Sequence, residues 1–93
     1  MPEFKLWLSG LKGKERSQVD DRLDRVMQHN HFGDMKYLGE NLFELRWRSG
    51  RRAYFAFTMI EGGRGVLMLL GGDKNGQNQD IAHARKILER EVS

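Results

Sequence analysis

The stretch "RWRSGRR" places Arg46, Arg48, Arg51 and Arg52 within seven residues, with no acid among them. A guanidinium stays charged at any physiological pH and presents a planar fork of donors that matches phosphate oxygens. It can neutralise charge developing on a phosphorane or a leaving oxygen, but it cannot act as a general base. With Tyr54 close by in sequence and Lys74 at the margin, the segment suits a phosphodiester backbone, either to bind RNA or to cleave it. The bland alternative is that the arginine stems cover exposed sheet while their charges are solvated. Composition alone does not choose between the two.

Other chemistries find less support. "GGDKNG" follows an apolar run and precedes an amphipathic one, as a phosphate cradle should, but it lacks the G-x-x-x-x-G-K-[ST] spacing, and Asp73 would repel an anion. It reads better as a turn whose glycines permit positive φ, with Asn75 or Asn78 capping the following helix. His29 and His31 form an H-x-H pair with only Asp34 nearby, and His83 is remote, so no metal site and no cofactor is expected. Cysteine is absent, and Ser9, Ser17, Ser49 and Ser93 sit in no nucleophile elbow.

The rest of the composition bounds the setting. At 93 residues the chain is expected to form one domain spanning 1–93. The lack of cysteine fits a reducing cytoplasm. The longest apolar run, Val66 to Leu70, falls far short of the roughly 20 residues that cross a bilayer, so no membrane partner is expected. A net charge of +3 favours acidic partners but is too mild to name nucleic acid by itself.

The elements that must position the arginines follow from periodicity. Phe4, Trp7, Leu8 and Leu11 recur at helical spacing with Pro2 at the start, and after "KGK" a second helix carries Val19, Leu23, Val26 and Met27 as its apolar stripe, leaving Arg22 outside it. From "NHFGD" the period changes to two, weakly in "MKYLG", then clearly in "LFELRWRS" and "RAYFAFTMI". "EGGRG" reads as a turn. "VLMLL", apolar throughout, is an inner strand covered on both faces or an edge that meets a partner. A last helix from about Gln77 has Ile81, Ala84, Ile87 and Leu88 on one face. The arrangement is α+β: a helical hairpin, a mainly antiparallel sheet of three to four strands, and a C-terminal helix.

The turn between the two clear strands decides where the arginines point, because a one-residue slip inverts every side chain. A two-residue loop would put large aromatics among charges. A three-residue loop, Ser49 to Arg51, keeps Phe43, Leu45, Trp47, Phe55 and Phe57 on the core face. It sets Arg48 opposite Arg52 and Arg46 opposite Tyr54 on an exposed face. Like charges so placed destabilise a sheet, so structure alone would not select them.

The order of these elements, together with "FKLWLSGLK", "FGDMKYLGENLFELRW", "GRRAYFAF" and above all "LLGGDKNGQNQDIAHARKIL", resembles the RelE/HigB-like toxins of type II toxin-antitoxin modules, in particular the phage-derived addiction module killer protein branch. The likeness covers almost the whole chain. It implies a toxin that binds the ribosome and cuts mRNA, with the RNA 2'-hydroxyl as nucleophile, and so inhibits translation. It also implies a cognate antitoxin, of helix-turn-helix type. Carried onto this chain, it makes Arg46, Arg52 and Lys74 the catalytic candidates, with Arg48, Arg51 and Tyr54 contacting RNA phosphate or base. Related folds also include ParE-like DNA gyrase poisons, and a catalytically silent antitoxin-binding module is a further alternative.

Two departures from the family pattern bear on this. Relatives open with a strand before the first helix, and "MPEFKLWL" enters helix almost at once, which could leave the "VLMLL" edge open to an antitoxin segment or a second copy. The C-terminus, "LEREVS", lacks the tyrosine, or the aspartate and histidine, that act as acid or base in relatives. Lys74 or Glu44 would then be the proton carrier.

Overall fold

Helical periodicity at both ends and alternation in the middle become a sheet held between helices. The computed structural model describes residues 1–92. Helices α1 (Pro2–Ser9) and α2 (Gly13–His29) come first. Strands β1 (Met35–Gly39), β2 (Leu42–Arg46), β3 (Arg51–Ile60) and β4 (Gly63–Asp73) follow, and a 3-10 turn at Lys74–Gly76 leads into α3 (Gln77–Val92). The sheet has four strands in the order β1-β2-β3-β4, each antiparallel to its neighbour. The α+β architecture is as expected from the sequence.

Each face of the sheet buries its own cluster. On one side Phe4 of α1 and Val26 of α2 pack on Leu45, Ala53 and Phe55. Phe43 and Phe55 stack there at 5.3 Å between ring centroids. On the other side Ala84, Ile87 and Leu88 of α3 cover Leu42, Tyr54, Ala56 and Leu70. The expectation of an exposed face bearing Tyr54 is therefore corrected: Tyr54 is fully buried. The physical reason is the apolar stripe of α3, which needs a sheet surface to remove it from water, and this face supplies one.

Two further details differ from expectation. Met27 lies off the buried stripe of α2 and is 67% exposed, whereas Arg22 lies on it at 9%. Val19, Arg22 and Val26 share the i, i+3, i+7 spacing, so the stripe runs through an arginine. Its guanidinium is accommodated because Nε and Nη2 donate to the Phe32 carbonyl at 3.1 and 2.8 Å, Nη2 to that of Asp34 at 2.6 Å, and Nη1 to that of Arg46. The strand around "VLMLL" is longer than its apolar core and forms one edge of the sheet. A bulge between the Tyr54–Leu70 and Phe55–Met68 pairs adds Leu69 to the ladder. Leu69 and Leu70 thereby both join the α3-side cluster, while Val66 and Met68 serve the other. Every position of the run is used.

The glycines of "GGDKNG" were expected to supply positive φ, and none of them does. They supply room. A Cβ on Gly71 would lie 1.9 Å from Cδ2 of Trp7, and one on Gly72 would lie 2.0 Å from Oδ2 of Asp80. Adjacent strand residues face opposite ways, so the pair lets α1 approach from one side and the start of α3 from the other. The cap is also not an asparagine. Oδ1 of Asp73 accepts from the backbone N–H of Asn75 at 2.9 Å and of Gly76 at 3.4 Å, tying the 3-10 turn that feeds α3. Among the described residues no helix is long and apolar enough to cross a membrane.

Candidate nucleic-acid interface

The hairpin joining β2 to β3 sets the geometry of the arginines. Its loop has three residues, but they are Arg48 to Gly50 rather than Ser49 to Arg51. The Trp47 N–H donates to the Arg51 carbonyl and the Gly50 N–H to the Trp47 carbonyl, each at 3.0 Å. A loop of this kind ends on a left-handed residue, and Gly50 takes that place with φ 98°. In the expected loop Arg51 would have had to do so against its own Cβ. The pairing consequently moves by two residues, to Arg46 opposite Arg52 and Glu44 opposite Tyr54. A shift of two preserves the faces and changes the partners.

Two guanidiniums thus stand directly across from each other, with one carboxylate beside them to offset their repulsion. Glu44 is fully buried. Its Oε1 lies 3.0 Å from Nε of Arg46 and its Oε2 4.0 Å from Nε of Arg52. From the first turn of α3, Nε2 of Gln77 donates to Oε2 at 2.8 Å. One negative charge between two positive ones leaves the cluster cationic. Because both arginines meet Glu44 through Nε, their terminal nitrogens are left to face other acceptors, and no hydrogen bond among the described residues engages them.

Tyr54, across from Glu44, has a phenol pushed above its ordinary pKa of 10, first by burial and then by the Glu44 charge. It stays protonated at neutral pH and cannot accept a proton there. Asp80, over Gly72 at the start of α3, is pushed up as well, chiefly by burial and next by Asp73.

The remaining candidates separate. Lys74 is exposed, and its stem lies over the hairpin turn: a Cβ on Gly50 would be 3.3 Å from its Cδ. Arg51 turns away to an ion pair with Glu15 of α2. Arg48 is exposed at the loop, without an ion pair. Of the six sequence candidates, Arg46, Arg52 and Tyr54 therefore surround Glu44, Lys74 reaches the same hairpin, and Arg48 and Arg51 lie toward α2.

The anchoring role of Glu44, and the parts of Gln77 and Asp80, were not read from the sequence. One signal was present: Glu44 is the lone acid on a strand face otherwise carrying Arg46 and, across the hairpin, Arg52. Gln77 leaves no such trace, because only the docking of α3 brings it within reach. Among the described residues no group of three or more histidines, cysteines or acids is placed to hold a metal.

A curated protein of Haemophilus influenzae (strain Rd), described as an uncharacterized protein, is 37% identical over 90 residues, covering 96% of this chain and 88% of its own length. No solved structure matches the chain. The family model described as "Phage derived protein Gp49-like (DUF891)" matches residues 6–91, which takes in both N-terminal helices, the whole sheet and nearly all of α3. The chain therefore belongs to the Gp49-like family of phage-derived proteins, a toxin-like family of addiction modules.

Proposed function

We propose that this protein is the toxin of a type II toxin-antitoxin module, a RelE/HigB-like endonuclease that cuts mRNA on the ribosome and so inhibits translation in the cytoplasm. A cognate antitoxin, of helix-turn-helix type, keeps it silent. The observation that carries this reading is the pair Arg46 and Arg52, ion-paired with the buried Glu44 carboxylate, their terminal nitrogens unengaged. Preorganised donors of this kind stabilise charge where it develops and need no rearrangement during reaction.

In the reaction the 2'-hydroxyl of the RNA gives its proton to water as its oxygen bonds to the adjacent phosphorus, closing a 2',3'-cyclic phosphate, and the bond from phosphorus to the 5'-oxygen breaks. Arg46 and Arg52 hold the phosphate and neutralise its added charge. Lys74, exposed beside the hairpin, can deliver a proton to the leaving 5'-oxygen. Arg48 and Arg51 extend the cationic surface toward α2. Tyr54 contributes from below the surface, packed beside Glu44, rather than by stacking a base.

One feature favours a second reading, a silent module that only binds its antitoxin: the cluster offers no unengaged proton acceptor, since Tyr54 is held neutral and Glu44 is ion-paired. Inducing the protein without an antitoxin separates these possibilities. Growth arrest with cleavage of translated message, mapped by primer extension, is expected, and Arg52→Ala should lower cleavage about 10²-fold. Arrest with mRNA uncut, and unchanged in Arg52→Ala, would overturn the proposal. DNA damage in place of cleavage would indicate a ParE-like gyrase poison.

A further inference from the structure

Between α2 and the β2–β3 hairpin runs a groove of about 750 Å³ whose wall includes Gln18, Asp21, Arg25, Asp34, Trp47 and Arg48. It adjoins the phosphate cluster through Arg46, which lines the groove and also pairs with Glu44. We infer that this groove is a nucleobase subsite that takes a guanine from the strand held by Arg46 and Arg52. The inference rests on the RNA-binding reading above.

The groove carries four arginines, Arg22, Arg25, Arg46 and Arg48, and two carboxylates, a mixed lining that suits a base together with its flanking phosphate rather than a phosphate alone. Asp21 and Asp34 are exposed, and no ion pair or side-chain hydrogen bond engages either carboxylate. Two carboxylates that make no ion pair or side-chain hydrogen bond are acceptors with room for donors. They suit an edge rich in donors, and guanine alone among the bases presents a ring N–H beside an amino group, a pair that one carboxylate can accept from with both oxygens. The carbonyl-bearing edge of uracil offers a single ring donor, and cytosine only its amino group. Gln18 can donate or accept alongside. Arg25 and Arg48, also without ion pairs, join Arg46 as cations of the groove for the flanking phosphates.

Trp47 supplies the surface on which a base can lie. It is half-buried in the groove wall, and the Arg22 guanidinium, which also lines the groove, lies over its ring at 4.8 Å from the centroid. Arg22 is itself fixed by the carbonyls of Phe32, Asp34 and Arg46. Trp47 and Arg22 thus form a stacked pair in the wall, held by a side chain that cannot move without breaking four hydrogen bonds. A rigid, flat surface loses little entropy when a base stacks on it.

The test uses the full chain and the four 5'-mononucleotides, with the Trp47 indole N–H followed by two-dimensional NMR and that of Trp7, packed on Gly71, as internal control. GMP should move the Trp47 signal and leave Trp7 unchanged, with CMP and UMP about tenfold weaker. Asp21→Asn combined with Asp34→Asn alters exposed side chains only and should abolish the preference for GMP. A Trp47 signal that GMP does not move, or that all four nucleotides move alike, would overturn the subsite. So would a preference that survives in the double variant. Because mononucleotide binding is read directly, a negative result here leaves the Arg52→Ala cleavage test standing, and the converse also holds.

Discussion

Two arginine environments within this molecule use the same side chain for opposite ends. Arg22 is buried on α2, and all three of its nitrogens donate to backbone carbonyls. Arg46 and Arg52 are partly buried on the sheet with Nε toward one carboxylate, at 3.0 and 4.0 Å, in ion pairs that make no hydrogen bond. In the first case all three nitrogens are engaged by the fold, tying α2 to the segment before β1 and to the end of β2. In the second the carboxylate balances charge without taking a hydrogen bond from either Nε and leaves the fork open. Burial pulls the Arg22 pKa down, yet an arginine has ample margin to remain charged. The difference shows that satisfaction of the donors, more than burial, separates a structural arginine from one available to a ligand.

The largest test of this contrast is Arg22→Ala. It removes four hydrogen bonds and leaves the Phe32 and Arg46 carbonyls in need of partners, while that of Asp34 keeps the Arg46 N–H, so a loss of about 3 kcal/mol is expected, read as a large fall in denaturation midpoint. Arg22→Lys should recover only part of it, since an ammonium lacks the planar fork. Arg52→Ala, by contrast, should cost cleavage far more than stability. If the two variants lose stability equally, the distinction between the environments collapses.

A sharper test is Glu44→Gln, which keeps the shape and an acceptor for Gln77 but removes the charge. Local positive charge rises, so RNA should bind about threefold more tightly at moderate salt. Cleavage should fall nonetheless, by about tenfold, because the guanidiniums lose their fixed orientation. Filter binding and primer extension on the same variant would show this split; affinity and cleavage rising together would mean that Glu44 orients nothing.

The smallest effect concerns Tyr54. Its folded-state pKa lies above the unfolded value, so the stability it lends is fully present below pH of about 10 and is lost as pH rises toward the folded pKa. Tyr54→Phe should change stability at neutral pH by about 1 kcal/mol or less and should make the alkaline decline shallower, as followed by circular dichroism. An unchanged alkaline limb would show that Tyr54 is not the group responsible.

Much of the scaffold was legible because hydrophobic period is a local property. The stripes of α1 and α3, the change to alternation near Met35, and the sorting of Phe43, Leu45, Phe55 and Phe57 onto one face all follow from spacing. Arg22 was misread because a charged residue at a stripe position is ordinarily solvent-facing, and the carbonyls that satisfy it come from distant segments. The hairpin register escaped for a different reason. Loops at Ser49–Arg51 and Arg48–Gly50 give identical faces, and hydrophobicity cannot tell them apart; the conformational freedom of Gly50 does.

The sequence by itself determined the α+β class, the helix and strand faces, and the concentration of arginine at one hairpin, since each depends on neighbours a few positions apart. Only the tertiary structure decided what those arginines do. Docking α3 on the sheet buried Tyr54 and brought Gln77 to Glu44, and the two-residue register shift set Arg46 against Arg52. Gly71 and Gly72, which looked like a turn, serve to let α1 and α3 approach the same strand from opposite sides. These are contacts between residues tens of positions apart, and they are set by how the elements pack rather than by any local pattern.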